Sequence, residues 1–124
     1  MKELGRINIE LLRDVLGDIQ TDEVIITDER IIHIRERHIE DFELFKEYAS
    51  IGITDPDYIV LDCKNIGTIF MIRKLDDANL NIVVRVALNT DKKGLKNFVM
   101  TFFRLREKNL RKIIERNKLL YKKE

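Results

Sequence analysis

The chain has 124 residues, 44% of them hydrophobic and 36% charged. That length supports one core and one domain, with roughly two-thirds of the unfolded surface buried on folding. No apolar stretch approaches the roughly 20 residues that cross a bilayer. Residues 1–5 lack the apolar centre of a secretion signal. Cys63 is the only cysteine, so no internal disulfide can form, and it reads as a small apolar residue in a reducing cytoplasm.

The formal charge of +1 conceals an asymmetry. Residues 1–62 carry 7 Lys/Arg against 16 Asp/Glu, a net of −9, and residues 63–124 carry 16 against 6, a net of +10. A basic surface built by the second half would attract a polyanion. Mutual neutralisation of the two halves within the fold is the competing explanation.

In chain order, Ile7, Ile9, Leu11, Leu12, Val15 and Leu16 give a short helix after an extended start, and Gly17 ends it. Val24, Ile25 and Ile26 form a short extended run. Thr27 is a suitable N-cap, and Asp28 and Glu29 place negative charge in the first turn of a helix reaching about His38. The helix continues or restarts through Tyr48. Pro56 marks a turn. Four β-prone apolar runs follow, at Tyr58–Leu61, Thr68–Ile72, Leu80–Leu88 and Phe98–Phe103. Short connections between them predict an antiparallel meander. A basic helix runs from about Arg106 to Lys118. The predicted architecture is α+β: N-terminal helices packed on a four-stranded antiparallel sheet, then a C-terminal basic helix.

His33 and His38 are the only side chains whose ordinary pKa suits proton transfer near neutrality. On one helix, at about 100° per residue, Ile31, Ile34, His38, Phe42 and Phe45 share a face. His33, Arg30 and Arg37 lie on another side, and the two imidazoles are about 140° apart. His38 is thus expected to meet strand side chains. On the strands, Arg85 shares a face with Asn81, Val83 and Ala87, and Thr101 shares one with Asn97, Val99 and Phe103. A guanidinium and a hydroxyl opposite an inward imidazole would suit a phosphate and its developing charge. Each residue also has an ordinary explanation: a boundary histidine at 38, a surface histidine at 33, β-propensity at Thr101 and an ion pair at Arg85. The sequence contains no HExxH, no CxxC and no phosphate-binding glycine loop, so no metal or cofactor is expected. Residues 92–97 form a basic loop entering the last strand.

Several segments together resemble the phage-associated Barnase–EndoU–colicin E5/D–RelE-like nuclease domains. They are Thr21–Ile31, His33-Ile34, Arg37-His38, Asp55–Ile59, Lys93-Gly94, Lys96-Asn97, Thr101-Phe102, Asn117-Lys118 and Leu120–Lys122. The likeness spans nearly everything after residue 20, leaving residues 1–20 as a variable extension of a single domain, 1–124. The resemblance implies helices on a four-stranded antiparallel sheet and metal-independent cleavage of RNA, with tRNA among the candidates. It places catalysis at His38 as general base or acid, with His33 as the reserve acid or base, and at Thr101 and Arg85. Substrate contacts fall to Arg37, Lys93, Lys96, Asn97 and Arg104. Three positions depart from the family pattern: Ile39 replaces a proline, Phe98 a serine and Phe103 a tryptophan. A second reading is therefore an RNA- or protein-binding module of the same fold without turnover. The implied setting is the bacterial cytoplasm, or a phage protein within it, as monomer or homodimer, with an immunity or host protein as a further partner.

Overall fold

In the computed structural model, which describes residues 2–124, the elements run β1 (Lys2–Arg6), α1 (Glu10–Leu16), β2 (Glu23–Ile26), α2 (Asp28–Arg37), α3 (Phe42–Thr54), β3 (Tyr58–Leu61), β4 (Thr68–Lys74), β5 (Asn79–Arg85), β6 (Asn97–Leu105), α4 (Glu107–Arg116) and β7 (Lys118–Lys122). The α+β class holds. The four-stranded sheet does not: one seven-stranded sheet has the order β1-β2-β6-β5-β4-β3-β7. The four apolar runs are its consecutive antiparallel centre, β3 to β6. β1 and β7 add an antiparallel strand at each edge. β2 joins β6 in parallel, at Val24–Asn97 and Ile25–Phe98 only. The two edge strands carry no apolar alternation, which is why the sequence pattern misses them.

Local signals explain the helices. Thr27 caps α2, its Oγ1 accepting the Arg30 N–H at 3.2 Å. Gly17, at φ 73°, closes α1, its N–H bonding the Arg13 carbonyl at 2.9 Å. The chain breaks at His38, the C-cap of α2, and α3 begins four residues on. With Ile39 at this junction and no proline, the two helices still remain separate.

Helices cover the two faces of the sheet unequally. The larger core lies on one face, where Leu12, Ile34, Phe45 and Ile53 of α1–α3 meet Ile69, Met71, Ile82, Val84, Val99 and Phe102. On the other face only α4 packs, its buried Leu110 against Val60, Ile72 and Leu105. Fully burying a leucine side chain stabilises by about 2 kcal/mol, and the half-buried Ile113 and Ile114 pack against the same cluster. The rest of that face, towards Arg85 and Phe98, has no helix over it.

The β3–β7 edge is tied by charge. Asp55 Oδ2 accepts from Lys123 Nζ at 2.8 Å and from Arg73 Nη1 at 3.0 Å. These bonds, Lys123 first and Arg73 next, hold the Asp55 carboxyl below the usual carboxylate value. A folded-state pKa below the unfolded one gives stabilisation that is complete above the unfolded value and lost as pH falls through the folded one. Asp55→Asn should therefore flatten the loss of stability below about pH 4. Urea midpoints of both proteins at pH 7 and pH 3 check this; equal acid sensitivity would contradict it.

Candidate active site

Strand β6 decides where the candidate residues point. Val84 pairs with Val99, and Val83 with Thr101, so Met100 is an extra residue opposite one step of β5. This β-bulge breaks the simple alternation of side chains. Val99 and Phe102 both enter the helix-covered core. Thr101 instead joins Val83 on the opposite face, with Phe103 beyond it. The expectation that Thr101 and Val99 share a face fails for this reason. The sequence Val99-Met100-Thr101 contains no glycine or other local mark of a bulge.

His38 lies on the helix side. Its ring meets Phe102 edge-on at 6.3 Å, and Phe102 packs on Phe45 at 4.7 Å. The inward orientation expected of His38 is correct, but Thr101 and Arg85 occupy the other face of the sheet. The arrangement in which His38 faces them is corrected accordingly. His33 sits on a different flank. Ile31 lines an apolar cavity with Phe42, Phe45 and Ala49 of α3 and Leu4 of β1. His33, two residues on and about 160° round the helix from Ile31, points away from that cavity. It is half-buried, as is Arg30 on the same ridge. Arg37, at the end of the ridge, is exposed. Because β2 pairs with β6 only at residues 97 and 98, the β6 edge beyond them is flanked by α2.

Arg85 is the cation that β5 carries on the open face. It is diagonal to Thr101 across β5 and β6, a separation of about 7–8 Å between backbones. Its Nη1 donates to the Val86 carbonyl at 2.5 Å, and its Nη2 lies 3.4 Å from Asp91. The guanidinium rests against Gly67, whose φ is 84° and where any Cβ would collide with it. Gly67 thus has two reasons to lack a side chain: the left-handed backbone and the close approach of Arg85. Arg85 and Lys96 line one groove of about 150 Å³ with Phe98 and Asp91. Lys96 is paired with Glu23 at 2.6 Å. Phe98 sits beside Arg85 as its cross-strand partner.

Asn97 and Arg104 are each engaged within the fold. Asn97 is fully buried. Its Oδ1 accepts the Ala87 N–H at 2.7 Å, and its Nδ2 donates to the carbonyls of Thr21 at 2.7 Å and Glu23 at 3.0 Å. The side chain clamps β2, β6 and the end of β5 together and has no contact left for a ligand. Arg104 projects to the helix side, with Nε 2.5 Å from Asp41 Oδ1 in the α2–α3 connection. Lys93 is exposed on the loop before β6. Among the described residues, no three His, Cys, Asp or Glu side chains cluster as a metal site, and no helix is long and apolar enough to cross a membrane.

Asn97→Ala should be a stability variant. It strands one buried N–H and two carbonyls, a cost of about 2–3 kcal/mol, whereas Lys93→Gln should stay within about 0.5 kcal/mol of the parent. Denaturant unfolding measures both. An Asn97→Ala protein as stable as the parent would contradict the clamp.

Over residues 1–122 the chain matches the model of the family described as phage-Barnase-EndoU-ColicinE5/D-RelE like nuclease 2, and it belongs to that family. No curated protein and no solved structure matches it.

Proposed function

We propose that this member of the nuclease-like family cleaves RNA on the open face of its sheet, without a metal, using His33 for proton transfer. The observation that carries the reading is the division of candidates between faces: Thr101 and Arg85 share the face that α1–α3 leave uncovered, and His38 is on the other. α2 runs along the edge of β6, and His33 is about 160° round that helix from Ile31, which lines the cavity against α3. Arg30 and Arg37 share its ridge. Among the described residues, neither the His33 imidazole nor the Thr101 hydroxyl has a hydrogen-bond partner, so both are available to a ligand.

The chemistry that fits is transesterification by the RNA itself. The 2′ oxygen bonds to phosphorus as the P–O5′ bond breaks, leaving a 2′,3′-cyclic phosphate. The 2′-OH proton passes to a base, and the departing O5′ takes a proton from an acid. His33 supplies one of these transfers. Arg85, held half-buried in a fixed orientation, places positive charge beside the phosphate, and the Thr101 hydroxyl donates to a non-bridging oxygen. Lys96, Lys93 and Arg37 add charge around the rim and favour capture of the polyanion.

Positioned acid–base catalysis is worth about 10²–10⁴-fold. His33→Ala should lose at least the lower figure, and His38→Ala much less. Cleavage of total bacterial RNA in EDTA by the two variants and the parent, read on a denaturing gel, makes the comparison. The reverse order of loss would move catalysis to the His38 side, where Asp41 and Arg104 form the neighbouring ion pair. Abolition of the parent's activity by EDTA would remove the metal-free scheme. Salt-sensitive RNA binding by a parent that cuts nothing would leave a binding module.

A further inference from the structure

One row of side chains crosses the open face: Thr101, Val83, Phe70 and Val60 are successive cross-strand partners on β6, β5, β4 and β3. At about 4.8 Å per strand, Phe70 stands roughly 10 Å from Thr101. Beyond it, Val60 is sealed by Leu110 of α4. Phe70 itself is half-buried and forms the floor of a groove of about 280 Å³ between α4 and the β3–β4 turn. Lys64, Lys112 and Arg116 stand around it, with Asp62.

We propose that this groove is a nucleotide subsite, in which a base stacks on Phe70 while its phosphate is held by Lys64, Lys112 and Arg116. It rests on the RNA-cleaving reading above and adds where a neighbouring nucleotide of the strand is gripped. The charge favours an anion. Among the described residues none of the three cationic groups has an ion-pair partner. The Asp62 carboxylate is occupied within the turn, accepting from the Lys64 N–H and from Asn65 Nδ2, both at 2.9 Å. Lys112 and Arg116, one turn apart, present their charges on the same side of α4. The walls are built rather than incidental. Asn117 Oδ1 accepts the Cys63 N–H at 3.0 Å, and its Nδ2 donates to the Ile113 carbonyl at 3.0 Å, fixing the turn to the end of the helix. An aromatic floor with cations beside it is the recurrent way single-stranded nucleic acid is held without sequence readout. An acidic peptide would use the charges but has no need of the ring.

The test uses a fluorescent 2′-O-methyl oligoribonucleotide, which cannot be cleaved because its 2′ oxygen carries no proton. Binding to the whole protein is read by anisotropy at several salt concentrations. Phe70→Leu should weaken binding about tenfold. Lys112→Gln with Arg116→Gln, both at exposed positions that do not hold the fold, should weaken it at low salt and reduce the logarithmic salt slope by about two. The oligonucleotide should also slow alkylation of Cys63, the exposed thiol beside the turn, in the parent but not in the double variant. Unchanged binding by the double variant would overturn the subsite while leaving RNA cleavage elsewhere on the face intact. Absence of any binding by the parent would remove both readings. Competition by polyglutamate as effective as by the oligonucleotide, with a correctly folded Phe70→Leu protein binding normally, would overturn stacking and leave a general anion surface.

Discussion

Strand β6 carries one residue more than β5 between Val99 and Thr101, and the direction of every later side chain on it depends on that insertion. Phe102 turns into the helix-covered core and draws His38 with it. Thr101 turns to the face where Arg85 lies. Backbone bonding to β5 on both sides of Met100 fixes the offset, and the fully buried Val99 and Phe102 lock it. A one-residue slip would expose Phe102 and bury Thr101 in an apolar layer, so the register is strongly specified.

The sheet then acts as a partition. Three helices fill one side, and their apolar residues supply most of the core. The other side carries only α4, seated by Leu110, and keeps its remaining area for polar and aromatic groups. Asn97 is what permits the arrangement at the parallel junction. β2 reaches β6 for only two residue pairs, and the Asn97 side chain bonds the strand carbonyls that such a short ladder leaves over. The charge asymmetry of the chain follows the same division. The acidic half supplies α1–α3, whereas the basic half supplies α4 and most of the open face.

Much of this was legible in residue order. The four central strands, the Thr27 cap, the Gly17 stop and the basic last helix each have a local signature, and the combined spacing of short motifs identified the family. What was hidden is non-local. β1 and β7 are short edge strands whose sequences show no polar–apolar alternation, and they exist because neighbouring strands offer free edges. The bulge has no sequence mark, so simple alternation puts Thr101 on the face of Val99. Asn97 reads as a polar residue at a strand start, and only its three backbone partners reveal a clamp.

The proposed RNA contact lies on the face opposite α1–α3. Backbone amide shift mapping of the isotopically labelled protein with an uncleavable 2′-O-methyl RNA tests it most directly. Perturbations are expected along Phe98–Thr101, at Val83–Arg85 and along the His33 flank of α2. Perturbations confined to His38–Phe42, Arg104 and α3 would contradict it.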